Sequence, residues 1–313
     1  MHVIDGKLVD RAASWPTIVA ALKAGHQRPK AEVGDTYLTD SGNGLLARSA
    51  WISGLGGCVK AVTIFPRNVE RMPYVASIQG SVLLFEVETG STRAVVDAAA
   101  VTRWKTAGDS ALGSELLSRQ DSRQLLVIGA GTMAEPLVRA HLCVRPGIER
   151  VTVYNRTRAN AVALAGRLGD LGRPVDVADN LEAAVRAADI VSVATMSTQP
   201  LVQGAWLKSG THLDLVGAYT PQMREADDEA IRRSRVFVDF RETTIKHIGE
   251  LMDPIRTGVI KESAVLGDLY DLVGGTPGRI SASDITWYKN GGGGHLDLMT
   301  THAIVEAASK LLG

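Results

Sequence analysis

Residues 124–136 read QLLVIGAGTMAEP, and this stretch decides the fold of the chain. Its apolar start is typical of a short buried strand, and its end opens a run with helical spacing. Between them, Gly129, Gly131 and Ala134 stand in the spacing G-x-G-x-x-G/A of dinucleotide-binding βαβ units. The first glycine permits a tight turn, the second lets a pyrophosphate approach the backbone, and the small third residue packs helix against strand. An ordinary glycine-rich turn needs no strand before it and no helix after it, so we predict a dinucleotide site at the helix N-terminus.

The alternation of elements continues on the carboxyl side of this unit. The strand-like runs are residues 151–157, 189–196, 211–219 and 235–240, and the helix-like runs are 132–142, 159–171 and 225–234. Strands that alternate with helices in this way form a parallel sheet with crossover helices. The pattern therefore predicts an α/β protein with a Rossmann doubly wound parallel sheet. After residue 240 there are few periodic signals before the glycines at 291–294.

The first 118 residues have a different character, because they are β-rich with glycine punctuation. Residues 80–97 predict a hairpin, with a turn near 88–91 in which Gly90 supplies the tight reversal. After Asp97 the apolar residues are spaced like a helix, and residues 296–313 are also helical in pattern. This part of the chain predicts a second, α+β domain.

Composition and charge narrow the classes of ligand. The chain has 313 residues, 45% of them hydrophobic, with 34 Lys and Arg against 34 Asp and Glu. That balance gives no electrostatic footprint for a nucleic acid or an anionic membrane surface, so we expect a small-molecule ligand. Cys58 and Cys143 are too few for a disulfide framework. No stretch has the roughly 20 apolar residues that span a bilayer, and the N-terminus lacks a signal-peptide pattern, so we expect a cytoplasmic protein.

The end of the second strand of the βαβ unit bears on the choice of cofactor. NAD sites place an Asp or Glu about 20 residues after the glycines to bind the ribose hydroxyls, but no acid stands there in this chain. Arg156 could instead bind a 2′-phosphate, so we predict that NADPH is preferred and NADH possible. The alternative is that Arg156 faces solvent or stacks on adenine. The predicted cofactor-binding residues are Gly129, Ala130, Gly131, Thr132, Met133, Ala134, Asn155, Arg156, Thr157, Arg158, Ala194, Thr195, Met196, Val216 and Gly217.

Three cations are candidates for substrate binding. Lys60 lies in an apolar, strand-like run, where a lysine is costly to bury without a partner or a ligand. Arg48 interrupts a neighbouring strand-like run in the same way, and the two could converge on a carboxylate. Lys105, at an expected helix start with Thr106 beside it, is the third. A surface strand or a capped helix explains any one of them equally well, but their joint occurrence favours a site.

The glycines at 291–294 precede a second group of candidates, His295 and Asp297. Glycines let a backbone pass close to a ligand, although a flexible connector gives the same pattern. A histidine with an aspartate two residues away could donate or relay a proton near neutral pH, so the candidate catalytic residues are Lys60, His295 and Asp297. The other histidines lack metal-ligand spacing, and no C-x-x-C, H-E-x-x-H or G-x-S-x-G motif occurs. We expect neither a metal site nor acyl-enzyme chemistry.

Several motifs in one order give the chain a family resemblance. The motifs at 57–68, 89–113, 126–134 and 215–227 together resemble the ornithine cyclodeaminase/mu-crystallin family over most of the chain. The resemblance implies a substrate-binding and dimerisation domain at 1–118, completed by about 295–313, and a Rossmann dinucleotide-binding domain at 119–294. It also implies a homodimer joined through the β-rich domains. The substrate carboxylate would be held by Arg48, Lys60 and Lys105, facing the nicotinamide.

Two departures from the family pattern bear on the reaction. Ornithine cyclodeaminases carry an aspartate just after the glycine of the strand motif, and the family's alanine dehydrogenases carry a comparable acid; here Ala218 and Tyr219 follow Gly217. The arginine of the family's R-T-A motif is Lys105 here, which keeps the charge but loses the bidentate fork. Residues 104–113 and 289–299 resemble the branch that reduces 2-imino acids, such as Δ1-pyrroline-2-carboxylate reductases.

The resemblance therefore implies NAD(P)H-dependent reduction of Δ1-pyrroline-2-carboxylate, Δ1-piperideine-2-carboxylate or a related ketimine to the L-amino acid. Ornithine cyclodeamination, alanine-dehydrogenase-like or iminosuccinate reductase activity, and reductive amination of a 2-oxo acid stay open. So does non-catalytic binding of NADPH and a ligand, as in a mu-crystallin-like protein. The missing acid at Ala218 disfavours the cyclodeaminase, and the set of cations favours chemistry over binding alone.

Overall fold

The computed structural model describes residues 1–73 and 75–312, which fall into two compact units. Residues Met1–Lys105 with Gly293–Gly313 form the first unit, and Thr106–Gly292 form the second. The division between the units falls inside a long helix that starts at Ala98. The functional roles assigned above to residues 1–118 and 119–294 stay predictions.

Strands prevail in the first hundred residues, and strands alternate with helices after them. The strands are β1 (His2–Ile4), β2 (Glu32–Asp40), β3 (Asn43–Ile52), β4 (Gly56–Ile64), β5 (Ile78–Phe85), β6 (Thr92–Asp97), β7 (Gln124–Ile128), β8 (Arg150–Tyr154), β9 (Val175–Val177), β10 (Ile190–Val193), β11 (His212–Leu215), β12 (Ser234–Val238), β13 (Val265–Gly267) and β14 (Ile285–Lys289). The helices are α1 (Gly6–Ala12), α2 (Trp15–His26), α3 (Ala98–Leu117), α4 (Ala134–Val144), α5 (Arg158–Arg167), α6 (Leu181–Ala187), α7 (Asp228–Arg232), α8 (Arg241–Thr244), α9 (Gly249–Arg256), α10 (Leu269–Val273) and α11 (Gly294–Leu312). Short 3-10 helices span Pro66–Glu70, Gly169–Leu171, Gly204–Trp206 and Glu262–Ala264.

The first unit is built on a six-stranded sheet in the order β1-β6-β5-β4-β3-β2. Strands β1 and β6 pair in parallel, and the other strand pairs described in this sheet are antiparallel. The predicted hairpin of β5 and β6 is confirmed, with Gly90 at a φ of +68° in its turn. Helix α11 packs on β2 to β5. The β-rich prediction missed α1 and α2, whose N-terminal N–H groups are capped by the side chains of Asp5 and Ser14.

The opposite face of this sheet carries several exposed apolar side chains. Alternate residues on neighbouring strands share a face, so Leu45 and Trp51 of β3 lie on the same side as Leu38 of β2 and Leu83 of β5. All four side chains are exposed, Trp51 by 48% and Leu38 by 59%. Exposed apolar side chains gathered on one face of a sheet are typical of an interaction surface.

The second unit contains an eight-stranded parallel sheet in the order β13-β12-β14-β11-β10-β7-β8-β9, and this confirms the predicted doubly wound α/β fold. Apolar clusters cover both faces, one around Leu126 and Leu213 and the other around Val127 and Val151. Strand β14 is missing from the sequence prediction, although it lies near the middle of the sheet. Within the described residues, no helix is both long enough and apolar enough to cross a membrane.

Candidate active site

The loop that joins β7 to α4 has the geometry of a phosphate-binding turn, and residues 129–134 form it. Gly129 has a φ of +110°, and a Cβ there would lie 2.5 Å from the carbonyl oxygen of Ala194, so only glycine fits. A Cβ at Gly131 would meet nothing within 4 Å, which leaves open space beside that backbone. Met133 is the N-cap of α4 and makes no capping hydrogen bond through its side chain. In the first turn of α4, Ala134 donates its N–H to the carbonyl oxygen of Gly131 at 3.1 Å and Pro136 has no N–H, so an anion such as a pyrophosphate would meet the N–H of Glu135 and those of the preceding glycine loop.

Some side chains after β8 bond to other groups in the described part of the chain, and one does not. Arg158 forms an ion pair with Asp179, with 2.7 Å between Nε and Oδ1. Asn155 donates a hydrogen bond from Nδ2 to the carbonyl oxygen of Thr157 at 2.9 Å, which fixes the turn. Arg156 is exposed and makes no hydrogen bond or ion pair with the residues that the structure describes. Of the two arginines, Arg156 is therefore the one available to a ligand.

The carboxyl ends of β10 and β11 meet closely. A Cβ at Gly217 would lie 1.8 Å from the carbonyl oxygen of Thr195, so the two segments approach at a distance that only glycine allows. Ala194 to Met196 and Val216 to Gly217, all predicted to bind the cofactor, lie at this junction. Glu225 is buried there and accepts hydrogen bonds from the backbone N–H groups of Thr195 and Gly217. The sequence pattern predicts a helix that includes Glu225, but α7 begins three residues later, at Asp228.

In the first unit, Arg48 and Lys60 lie directly opposite each other on β3 and β4, as the joint interpretation requires. Lys60 Nζ lies 2.8 Å from Oδ1 and 2.7 Å from Oδ2 of Asp297, and both side chains are buried. Arg48 Nε lies 3.0 Å from Oδ2 of Asp35, at a partly exposed position. The structure thus brings together two candidate catalytic residues, and α11 supplies the partner that a buried lysine needs.

His295 is fully buried in the same unit, on the first turn of α11. Its ring centroid lies 5.6 Å from that of His26, edge to face. Burial, with the neighbouring His26, Lys105 and Arg48, lowers the pKa of His295 well below its usual value. The ring is therefore neutral at pH 7, and a neutral imidazole is a poor proton donor.

Lys105 and Thr106 do not lie at a helix start, and this corrects the prediction. They occupy the middle of α3, because the helix already begins at Ala98, directly after β6. Lys105 is buried in the first unit. In the second unit, the carbonyl oxygen of Thr106 accepts a hydrogen bond from Asn290 Nδ2 at 2.9 Å.

The glycine segment before α11 is fixed by close contacts rather than serving as a loose connector. In the second unit, the N–H groups of Gly291 and Gly292 donate to Oδ2 of the buried Asp239. In the first unit, a Cβ at Gly294 would lie 2.8 Å from the carbonyl oxygen of Ser49, so α11 starts against β3. In the part of the chain that the structure describes, no group of three or more His, Cys, Asp or Glu side chains could hold a metal ion.

Comparison with known proteins identifies the family to which the chain belongs. The model of the ornithine cyclodeaminase/mu-crystallin family matches residues 52–311. The chain belongs to this family. A family relative, the Δ1-pyrroline-2-carboxylate reductase of Paracoccus denitrificans (strain Pd 1222), is 50% identical over 287 residues, which cover 91% of this chain and 90% of that protein.

Solved structures of related enzymes match almost the full length of the chain. The Δ1-pyrroline-2-carboxylate reductase of Thermococcus litoralis, in complex with NADH and L-proline, matches with a TM-score of 0.92 at 27% identity, covering 99% of this chain and 98% of that one. The iminosuccinate reductase of P. denitrificans in complex with NAD+ matches with a TM-score of 0.92 at 26% identity, covering 99% of this chain and 97% of that one. The fold is therefore shared along almost the full length of these oxidoreductases.

Proposed function

We propose that the chain is a cytoplasmic NAD(P)H-dependent reductase of a cyclic 2-imino acid, with Δ1-pyrroline-2-carboxylate as substrate and L-proline as product. The observation that carries the proposal is the buried Lys60 ammonium opposite Arg48, in a chain 50% identical to a Δ1-pyrroline-2-carboxylate reductase. Two neighbouring cations, the buried Lys60 and the partly exposed Arg48, suit a small carboxylate substrate, because hydrogen bonds between a cation and a carboxylate are charge-assisted.

The candidate substrate-binding and catalytic residues have distinct roles in this proposal. Arg48 and Lys105 hold the substrate carboxylate, with the Thr106 hydroxyl as a further donor, and this holds the C=N carbon in place. Lys60 keeps a proton on the imine nitrogen, and Asp297 keeps Lys60 charged through their ion pair. His295, neutral at pH 7, shapes the site without donating the proton. The bound nicotinamide supplies the hydride for the C=N carbon.

The proposal includes a preference for NADPH, with NADH also accepted. Arg156 carries this preference, because Arg158 is already paired with Asp179. A charge-assisted contact to a 2′-phosphate is absent with NADH, so Arg156→Ser should raise the KM for NADPH by about tenfold or more and leave the KM for NADH unchanged. Equal effects on both cofactors, or none, would contradict the role of Arg156.

We also propose that the protein is a homodimer joined through the apolar face of the first unit's sheet that contains Leu38, Leu45, Trp51 and Leu83. These side chains are exposed in the single chain, and burying them against a second copy would remove a large apolar area from water.

The test of the reaction follows NADPH and NADH oxidation by absorbance with a panel of substrates. The panel contains Δ1-pyrroline-2-carboxylate, Δ1-piperideine-2-carboxylate, iminosuccinate, and pyruvate with amines, and L-ornithine is assayed separately for ammonia. We expect rapid oxidation with the cyclic imines and the highest kcat/KM with the five-membered ring. Ammonia and proline from ornithine without net change in cofactor absorbance would overturn the proposal in favour of cyclodeamination.

A further inference from the structure

Glu225 joins the carboxyl ends of β10 and β11 through its side chain. Its Oε1 accepts hydrogen bonds from the backbone N–H of Thr195 at 2.7 Å and from the Thr195 hydroxyl at 2.9 Å. Its Oε2 accepts from the N–H groups of Gly217 at 2.8 Å and Ala218 at 3.1 Å. Four donors fill the acceptor sites of an ionised carboxylate, and Glu225 is fully buried. This one side chain therefore fixes two loops relative to each other.

The backbone of Glu225 is itself held by a second buried carboxylate. Glu250, on α9, accepts the N–H of Glu225 at 2.7 Å and the N–H of Ala226 at 3.0 Å. Lys289 is also fully buried and donates from Nζ to the carbonyl oxygen of Leu215, the last residue of β11, at 2.7 Å. Its charge favours the ionised form of both glutamates. Two buried acids and one buried lysine thus support a single junction.

The position of this junction in the sheet points to the cofactor. Strands β10 and β8 flank β7, so the chain order reverses at β7, and ligands of open α/β sheets bind at such a switch point beyond the carboxyl ends of the strands. Gly129, in the loop after β7, approaches Ala194 closely, and Thr195 is the next residue. The loops that Glu225 fixes are therefore the neighbours of the phosphate-binding turn.

We propose that Glu225 is a positioning residue for the dinucleotide, holding the Thr195 and Gly217 loops in the conformation that receives the cofactor. This inference rests on the proposed function, because it takes the ligand of the second unit to be a nicotinamide dinucleotide. Burial of three charged side chains solely for stability would be expensive, since apolar residues of similar volume would be as stable or more so.

The titration of Glu225 gives this role a measurable signature. Burial raises the pKa of Glu225 to about 7, with Lys289 opposing the rise and Glu250 adding to it. Burial also raises the pKa of Glu250, against the charges of Lys289 and Arg224. A protonated carboxyl uses one oxygen as a donor and can no longer accept from all four groups. The loops should therefore loosen, and the dinucleotide bind more weakly, as the pH falls through about 7.

The experiment measures the Kd of NADH for the full-length protein by fluorescence, without imine, from about pH 8 to about pH 5.5. NADH is the probe because a 2′-phosphate titrates near this range, with a pKa of about 6. We expect the wild type to lose about tenfold or more in affinity across the range, which is the loss that one hydrogen bond to a charged group causes. Glu225→Gln should bind about tenfold more weakly even at the high end, with little pH dependence, because its amide NH2 faces N–H donors.

The matched control is Asp227→Asn, two residues along the chain. Asp227 Oδ1 accepts the N–H groups of Gly204 and Ala230, both at 2.8 Å, and bonds to neither cofactor loop. This variant should lower Tm while leaving the Kd of NADH and its pH dependence as in the wild type. A wild-type Kd that does not change with pH overturns the positioning role without relying on any variant to fold. So does a Glu225→Gln variant that binds NADH as the wild type does.

The two proposals fail separately. A wild type that shows the expected pH dependence of NADH binding but reduces no imine contradicts the reaction and leaves Glu225 as a positioning residue. A wild type that reduces the imine, with a Glu225→Gln variant of unchanged KM for NADH, contradicts the positioning role alone.

Discussion

At the scale of single residues, the burial of the Lys60 and Asp297 ion pair beneath an apolar sheet needs an explanation. Removing two ions from water costs several kcal/mol each, and their mutual attraction rarely does more than offset that cost. Apolar residues would fill the same space at no loss of stability. The pair fits the proposed role of Lys60, in which a proton is held at a fixed point beside the imine.

Lys60→Met tests this explanation. A lost proton donor should lower kcat on the imine by about 100-fold or more, while the Kd of NADPH changes little. The variant also leaves Asp297 buried and unpaired, which should destabilise the protein by about 3–5 kcal/mol.

The double variant Lys60→Met/Asp297→Asn separates these two effects. Removing the uncompensated charge should restore much of the lost Tm without restoring turnover. Normal imine turnover in Lys60→Met, or recovery of turnover together with Tm in the double variant, would contradict a chemical role for Lys60.

The sequence alone shows part of this candidate site. A lysine within an apolar strand is an anomaly visible without a structure, and it makes Lys60 and Arg48 candidates, which the structure places opposite each other. The pairing of Lys60 with Asp297 was not predictable, because the partners lie 237 residues apart. Glu225 was missed because its neighbours Asp227, Asp228 and Glu229 resemble a solvated helix, and only the fold shows that it turns inward.

At the scale of elements, the glycine fingerprint predicted the strand and helix that flank it, because each of its residues has a fixed backbone role. Strand β14 escaped prediction since it has five residues, all buried, and periodicity cannot distinguish such a run from buried helix. Helices α1 and α2 could have been found from their caps, Asp5 and Ser14, with Pro16 in the first turn after Ser14.

The packing of α3 on β14 gives an element-scale prediction. Gly113 of α3 faces the ring of Tyr288, and a Cβ there would lie 2.6 Å from Cε1. The ring cannot move away easily, because it is buried and its hydroxyl donates to Asp109 at 2.6 Å. Gly113→Ala gains about 1 kcal/mol of helix propensity but incurs overpacking of about 1–3 kcal/mol, so Tm should fall.

Gly166 of α5 is the matched control for this substitution. A Cβ there meets nothing within 4 Å, so Gly166→Ala should gain helix propensity alone and raise Tm by about 2–4 °C per kcal/mol. Differential scanning fluorimetry of both variants measures the contrast. A higher Tm for Gly113→Ala would mean that the contact between α3 and β14 is looser than described.

At the scale of the whole molecule, the apolar sheet face predicts the oligomeric state. Leu83→Glu places a charge on a central strand of that face, and a desolvated, unpaired charge at an interface costs several kcal/mol. We expect the wild type to be a dimer and Leu83→Glu a monomer, as measured by light scattering after gel filtration. Val162→Glu, at an exposed position of α5, should leave the mass unchanged. A wild-type monomer would contradict the dimer proposal.

Buried titratable groups predict how the stability of the whole protein depends on pH. Burial lowers the pKa of His212 from 6.5 to about 3, and burial also holds the pKa of His295 well below 6.5. Below pH 6.5 these two histidines bind protons in the unfolded chain but not in the folded protein. The free energy of unfolding therefore decreases as the pH falls. Glu225 and Glu250 act oppositely, since their raised pKa values make the folded state bind more protons than the unfolded chain above pH 4.5, up to about 7 for Glu225.

Between about pH 6.5 and 4.5 the protons retained by the glutamates offset part of the loss from the histidines, and below 4.5 aspartates whose pKa is lowered, such as Asp214 and Asp189, add to that loss. Tm should therefore change little down to about pH 4.5 and then fall steeply. In the steep part, each buried histidine lowers the free energy of unfolding by about 1.4 kcal/mol per pH unit. His212→Asn should make the acid limb shallower. A steady fall in Tm from pH 6.5 would show that the two glutamates do not retain protons in the folded state.

The covering of the first unit's sheet by α11 has a consequence for protein synthesis. Asp297 is made 237 residues after Lys60, which at 5–20 residues per second is an interval of roughly 12–47 s. During that interval β3 and β4 have left the ribosome without the helix that buries their inner face and without the carboxylate that neutralises Lys60. The inner face of the nascent sheet therefore stays uncovered until α11 has been synthesised. We expect a chaperone that binds the growing chain to bind this face.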